Sequence, residues 1–288
     1  MSCMDKDKNK AKFGITVRLG TAVYRYWISG VHQKELTFHS ATSQAITRCL
    51  GLVDRYFPGW AFGVEQNILL SELSSKISNL KPNSVEIVRS SRRLKFFFNN
   101  EEQKRFTLEL INDILIKEAY KPLDVKGRDV VDVGAAIGDT SIYFALKGAR
   151  RVYAYEPQPQ HFWMAQKNTK YNGFSNRIKV YKKAVCIKTD KGCISLDDIV
   201  KGHNIKDGSL KVDCDGCEYN IILKSSNKTL LAFKDIILEY SAVGGYNGSP
   251  GPLISRLNGL GYRTEDRPHR GQKMGILFAT KDEHPGER

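Results

Sequence analysis

Val130-Val131-Asp132-Val133-Gly134-Ala135-Ala136-Ile137-Gly138-Asp139-Thr140 reads as a buried strand running into a glycine turn that opens a helix. Glycine supplies the backbone freedom such a turn needs and lets a ligand come close to the main chain. The free amides of the helix that follows then face that ligand. An acid stands two residues before the first glycine, and the two glycines are four apart. A nicotinamide-binding turn has a different spacing, G-x-G-x-x-G, with its three glycines serving a pyrophosphate.

Downstream, Val152-Tyr153-Ala154-Tyr155-Glu156-Pro157 ends a second strand on a carboxylate. Nucleotide-binding folds use that position to hydrogen-bond ribose hydroxyls, and the separation from the first strand leaves room for one helix. S-adenosylmethionine has no phosphate but carries an amino-acid end, whose ammonium suits a nearby acid. The spacing therefore points to that nucleoside rather than to a dinucleotide. Strands are expected at Asp129–Val133, Arg151–Tyr155, Ile178–Lys182, Leu210–Asp213, Asp235–Tyr240 and Met274–Thr280. Helices fit between them near 140–147, 160–171, 217–225 and 250–260. Short apolar runs alternating with helical stretches are the mark of βαβ units, closing into a doubly wound α/β sheet with helices on both faces.

Upstream the pattern is different. Ile68, Leu69, Leu73, Ile77 and Leu80 recur at helical spacing, predicting an amphipathic helix from Glu65 to Leu80 stopped by Lys81-Pro82-Asn83. Val85–Phe98 reads as a hairpin about Ser90-Ser91-Arg92-Arg93. Phe106, Leu110, Ile114 and Tyr120 mark a further helix ended by Lys121-Pro122. Residues 1–12 are charged, and 13–60 carry aromatics without a clean period. The chain is thus expected to divide into a smaller α+β region, 1–105, available for substrate or oligomer contacts, and a nucleoside-binding domain, 106–288.

The 288 residues are 41% hydrophobic and 26% charged, which fits folded globular domains and excludes disordered and fibrous classes. Neither an apolar run behind the basic start nor a stretch of about twenty apolar residues is present, so export and membrane insertion are not expected. The expected location is cytoplasmic. The six cysteines then read as reduced thiols, with Cys214 a small hydrophobe in a strand. A four-sulfur zinc site from Cys186, Cys193, Cys214 and Cys217 is the alternative. The formal charge of +14 draws anionic partners. It is spread evenly, with 20 basic against 13 acidic residues in 1–126 and 25 against 18 in 127–288. That spread reads as solvated faces, including Arg89, Arg92, Arg93 and Lys95, and predicts an acceptor whose binding is insensitive to salt.

The chain resembles the FkbM-like methyltransferases over about residues 106–280. The likeness is carried by V-V-D-V-G-A-A-I-G-D-T-S (130–141), Y-E-P (155–157) and Asn168 and Asn172 in N-T-K-Y-N. It continues in I-S-L-D-D-I (194–199), K-V-D-C-D-G-C-E (211–218), L-E-Y (238–240) and G-L-G-Y (259–262). The resemblance implies a Rossmann-like class I methyltransferase domain that methylates hydroxyl oxygens, often of sugars or secondary-metabolite rings. Two departures stand out: Ala136 replaces the usual asparagine of G-A-N-I-G, and Asp215 shortens the middle acid of D-x-E-G-x-E.

Together these readings nominate Asp132, Gly134, Ala136, Gly138, Asp139, Glu156, Pro157 and Ala184 for S-adenosylmethionine. Asp213, Glu218 and Glu239 are the candidate catalytic acids, expected at the carboxyl ends of adjacent strands where open α/β sheets bind ligands. A carboxylate there removes the acceptor's proton. A divalent ion held by the same acids is a variant, though no metal is expected, and Glu218 also reads as a carboxylate on a helix dipole. His161 and His203 are the other bases to weigh. The expected acceptor is a hydroxyl on a glycan or small polyhydroxylated metabolite. The alternative is RNA, read from the charge and the basic, aromatic N-terminal third. A scaffold that binds the cofactor without turnover is the third reading.

Overall fold

The strand that ends on the glycine turn lies at the middle of a seven-stranded sheet. The computed structural model describes residues 12–19, 22–29, 73, 75–89, 91–242, 247–269 and 273–281. The chain forms two compact units, Met1–Glu72 and Leu73–Arg288. Within the first, β1 (Lys12–Leu19) and β2 (Ala22–Ser29) make an antiparallel pair.

The second unit opens with β3 (Ile77–Lys81), β4 (Ser84–Arg89) and β5 (Arg92–Phe97), an antiparallel three-stranded sheet. The hairpin expected over 85–98 is β4–β5. The helix expected over 65–80 is not sustained at its C-terminal end, because Pro82-Asn83 makes the turn of a hairpin and Ile77–Leu80 pairs with β4. The part of that helix over 65–72 lies outside the described residues. Next comes α1 (Glu101–Leu110), whose N-cap Asn100 accepts a hydrogen bond from the Gln103 amide, running into a π-helical turn over Ile111–Ile116.

The main sheet is built from β6 (Asp129–Val133), α2 (Asp139–Leu146), β7 (Arg151–Tyr155), α3 (Pro159–Tyr171) and β8 (Ile178–Tyr181). Short β9 (Ala184–Cys186) and β10 (Cys193–Ser195) pair with each other before α4 (Leu196–His203). Then follow β11 (Gly208–Val212), α5 (Glu218–Lys224), α6 (Asn227–Leu231), β12 (Phe233–Ser241), α7 (Gly251–Asn258), β13 (Tyr262–Pro268) and β14 (Met274–Lys281). The strand order is β13-β14-β12-β11-β6-β7-β8.

Five of these strands are parallel, and β14 runs antiparallel to both β12 and β13. The parallel core expected from the βαβ pattern is present, and the sheet becomes mixed at one edge. β6 and β11 are buried at every position, as central parallel strands covered on both faces must be. Their residues join Tyr155, Ile222, Ile236 and Leu277 in one apolar core. The sheet is Rossmann-like, and its order reverses direction at β6, where such folds bind ligands beyond the carboxyl ends of the strands.

The β4–β5 hairpin, assigned from sequence to the region 1–105, is tied to α3. Asn172 Nδ2 donates to Lys95 O at 2.8 Å, and the Lys95 and Phe97 amides donate to Asn172 and Asn168 Oδ1 at 2.9 and 3.0 Å. Asn168 Nδ2 also donates to Ile137 O at 2.9 Å. These two asparagines thus hold the hairpin, α3 and the glycine turn in one rigid arrangement.

Candidate active site

The glycine turn wraps over the ends of β6 and β7. Gly134 (φ 76°), Ala136 (φ 43°) and Gly138 (φ 83°) all take left-handed backbone. At Ala136 this is the conformation that asparagine tolerates better than alanine, so the departure seen in sequence costs the turn some strain. The amides of Gly134 and Ala135 donate to Tyr155 O at 2.9 and 3.1 Å. Glu156 braces the same turn: its Oε2 accepts the Ala136 amide at 3.0 Å and its Oε1 the Gln158 amide at 2.8 Å. Each oxygen keeps a lone pair for another donor. Burial raises the Glu156 carboxyl above its ordinary range. Pro157 beside it is exposed, and Ala184 begins β9 with its amide on Gly192 O.

Asp132 is fully enclosed. Its Oδ2 accepts the hydroxyls of Thr140 and Ser141, both at 2.6 Å, and its Oδ1 lies 3.3 Å from Lys211 Nζ. Lys211 was not anticipated. It is 1% exposed in the middle of β11 and donates to Gly134 O at 2.6 Å and Val133 O at 3.2 Å. Its Nζ also stands 3.7 Å from Asp213 Oδ2. Burial works against its charge, but Asp132 and Asp213 more than offset that and raise its pKa. The signal in the sequence was a lysine flanked by Leu210 and Val212 in a core strand, since a buried cation needs a partner.

Asp213, one-third exposed, is held from a second side. Tyr120 Oη donates to Asp213 Oδ2 at 2.8 Å, and the tyrosine is itself buried. Sequence reading had used Tyr120 only as the end of a helix. Glu239 follows Leu238, which pairs with Val212, so Glu239 stands beside Asp213 toward the carboxyl ends of these two strands. Burial and the Asp213 charge push its carboxyl up to about 7. The third acid, Glu218, turns back on its own loop and accepts the Cys214 and Gly216 amides at 2.8 and 2.9 Å. The structure thus brings Asp213 and Glu239 together and commits Glu218 to bracing the turn.

Asp139 opens α2 and is 1% exposed, and neither of its carboxylate oxygens has a hydrogen-bond partner. Burial pushes its carboxyl from 3.8 up to about 7. The folded chain therefore keeps a proton that the unfolded chain releases between about pH 4 and 7, and stability falls as pH rises through that window. In the ligand-free protein, Asp139→Asn is expected to raise the melting temperature at pH 8, with the gain vanishing toward pH 4. A gain of the same size at both pH values would refute this origin.

Of the other bases weighed, His161 stacks on Phe106, and His203 stacks on Tyr153 with its Nε2 3.1 Å from Tyr155 Oη. Among the described residues, no group of three or more His, Cys, Asp or Glu is arranged to hold a metal ion. The reduced thiols expected from sequence are corrected: Cys186 is bonded to Cys193 and Cys214 to Cys217, with Cα atoms 5.7 and 5.6 Å apart. β11 ends at Val212, so Cys214 lies in the turn after the strand and not within it, where C-x-x-C spacing brings the two sulfurs within reach. Cys3 and Cys49 lie outside the described residues. No helix among the described residues is long and apolar enough to cross a membrane.

Taken together, the topology and the turn define a Rossmann-like fold of the kind found in S-adenosylmethionine-dependent methyltransferases. No family model matches the chain. It is similar to an uncharacterized protein, 158B, of Sulfolobus islandicus rod-shaped virus 1, at 31% identity over 106 residues, 36% of this chain and 56% of that one. It is also similar to protein arginine N-methyltransferase 1 of Oryza sativa subsp. indica, at 32% over 96 residues, 31% of this chain and 24% of that one. The chain thus spans less than two thirds of the length of these curated relatives. Among solved structures, an S-adenosylmethionine-dependent O-methyltransferase of Thermotoga maritima is similar at 19% identity, covering 70% of this chain and 79% of that one with a TM-score of 0.41. Likeness at that level fixes neither substrate nor reaction.

Proposed function

We propose that this chain is an S-adenosylmethionine-dependent methyltransferase of FkbM-like type that acts on a hydroxyl oxygen. The observation that carries the reading is the buried, unpartnered carboxylate of Asp139 at the head of α2. A buried acid without a donor costs stability unless a ligand supplies one, and the ammonium of the cofactor's amino-acid end is such a donor. Asp132, expected from sequence to meet that ammonium, is already taken by Thr140, Ser141 and Lys211. Its part is to fix the turn. Glu156, with free lone pairs at the end of β7, suits the ribose hydroxyls, and Gly134 and Gly138 let the backbone come close.

When bound, the cofactor supplies a methyl group that is already electrophilic, leaving the chain to align the acceptor and take its proton. Asp213 and Glu239 are the groups for that second task. Lys211 and Tyr120 hold the Asp213 carboxylate in place, and Glu239, with a carboxyl near pH 7, is poised to exchange a proton with it. The acceptor class suggested by the resemblance is a glycan or small polyhydroxylated metabolite. A ribose hydroxyl of RNA is the second reading, favoured by exposed rings and cations on α3.

Glu156→Ala is expected to weaken S-adenosylmethionine binding by about 1.5–3 kcal/mol, the worth of hydrogen bonds to a charged group. Titration calorimetry measures it, and an unchanged dissociation constant in a folded variant removes Glu156 from the site. Methyl transfer itself is tested with labelled cofactor against separate RNA, glycan and small-molecule pools from cell extract. Cofactor binding with no transfer to any pool leaves the scaffold reading instead.

A further inference from the structure

Trp163 is 61% exposed and Tyr171 60% exposed, both on α3. They are the two aromatic rings among the exposed large hydrophobic side chains of the described residues. Lys167 lies between the two at i+4 spacing, so the three share one face over about 12 Å of helix. Lys167 Nζ sits 4.0 Å above the Phe97 ring, which meets Tyr171 edge-on at 5.2 Å. Lys95 Nζ is 5.2 Å from the Tyr171 ring, so β5 extends the face sideways. The hydrogen bonds of Asn168 and Asn172 make the hairpin and helix one rigid surface.

The charge that is evenly spread along the sequence is therefore not even in space. Lys167 and Lys170 are exposed on α3 and Arg93 is exposed on β5, and none of the three forms an ion pair among the described residues. Lys95 pairs with Glu86 at 3.2 Å, the acid that faces the strip. Rings alternating with a cation that has no carboxylate partner match a strand whose bases are unstacked and whose phosphates run alongside. A duplex hides the faces of its bases, and a glycan lacks that alternation of planar groups and regular charge.

We propose that the strip Trp163–Lys167–Tyr171, with Phe97 of β5, binds single-stranded RNA. Its length fits about three nucleotides at the ~3.4 Å spacing of a stacked strand. Because α3 begins three residues after Glu156 and Ala165 packs against Gly138, the helix that carries the strip adjoins the cofactor turn, and presenting a ribose hydroxyl to Asp213 is the use proposed for it. That last step rests on the methyl-transfer reading, whereas binding to the strip does not.

The test is fluorescence anisotropy of the full chain with an end-labelled oligouridylate of about 12 nucleotides, at about 50 and 200 mM salt. Trp163→Ala and Tyr171→Ala are each expected to weaken binding by about tenfold, the order of one lost stacked base. Lys167→Ala and Lys170→Ala are each expected to reduce the logarithmic salt slope by about 0.7. Calorimetric affinity for S-adenosylmethionine is expected to stay unchanged in all four, which shows that they fold. Absence of binding at the lower salt, binding indifferent to both ring substitutions, or equal affinity for a duplex overturns the proposal. Binding that behaves as expected while labelled methyl never reaches the RNA supports the strip and overturns its use for presenting an acceptor.

Discussion

Replacing Gly134 with alanine is expected to cost about 2–5 kcal/mol and to remove cofactor binding with it. Two costs add. The residue holds φ 76°, a left-handed conformation worth about 1–2 kcal/mol against a side chain. A methyl group built there would also coincide with the backbone carbonyl oxygen of Asp213. That carbonyl cannot retreat freely, because the Asp213 amide donates to Val133 O at 3.1 Å and locks β11 against β6. Forcing the strands apart adds an overpacking cost of about 1–3 kcal/mol. In a unit of this size each kcal/mol is worth about 2–4 °C, so the total lowers the melting temperature by about 4–20 °C. A thermal melt checks it, and a shift of only about 1–2 °C would show that the turn relaxes where the structure has it fixed.

That same turn is the place where sequence and structure agree best. The β6 and β7 boundaries expected at Asp129–Val133 and Arg151–Tyr155 are the observed ones. A central parallel strand has no solvent face, so β6 and β7 carry the apolar runs Val130-Val131 and Val152–Tyr155, which stop at the glycine turn and at Glu156. β13 had no such mark. Tyr262–Pro268 is an edge strand in which only Tyr262 is buried, and Arg263, Glu265, Asp266 and Arg267 read as a loop. Its absence from the expected sheet concealed the antiparallel β13–β14 hairpin, and with it the mixed character of that edge. The helix expected over 65–80 misread Pro82-Asn83 as a stop, although the same residues turn a hairpin equally well.

The site was legible in its backbone and not in its electrostatics. The glycine turn, Glu156 and the pairing of Asp213 with Glu239 follow from motifs at strand ends, which depend on local order. Two partners of the acids come from far away in the chain: Tyr120 is 93 residues from Asp213, and Lys211 reaches Asp132 from a neighbouring strand at 3.3 Å. No local pattern shows which acid will find a donor. That is why Asp132 was expected to face the ligand and Asp139 was not singled out from it. The cysteines failed for a related reason, since the turn after β11 begins one residue before the expected strand ends.

Lys211→Met is expected to destabilise the second unit by about 3–5 kcal/mol, the cost of leaving a buried charge without its partner. Methionine keeps much of the volume, so packing loss is small and the effect isolates the ammonium. Asp132 keeps the hydroxyls of Thr140 and Ser141 but loses the cation 3.3 Å away, and the Gly134 carbonyl loses its 2.6 Å donor. The Lys211 charge also holds down the carboxyls of Asp139 and Glu239, which burial raises, so removing it lets both rise further. The folded variant then binds a proton that the unfolded chain does not, and its stability falls as pH rises. The deficit against the native chain is thus expected to be larger at pH 8 than at pH 5 in urea titrations. Adding Asp132→Asn removes the unpaired charge, and the double variant is expected to recover part of the loss, the two changes being coupled through direct contact. A deficit equal at both pH values, with no recovery in the double variant, would mean that Lys211 fills space and does not balance charge. If the recovery appears, the lysine that no motif reading singled out is the cation on which the Asp132–Asp213 cluster depends.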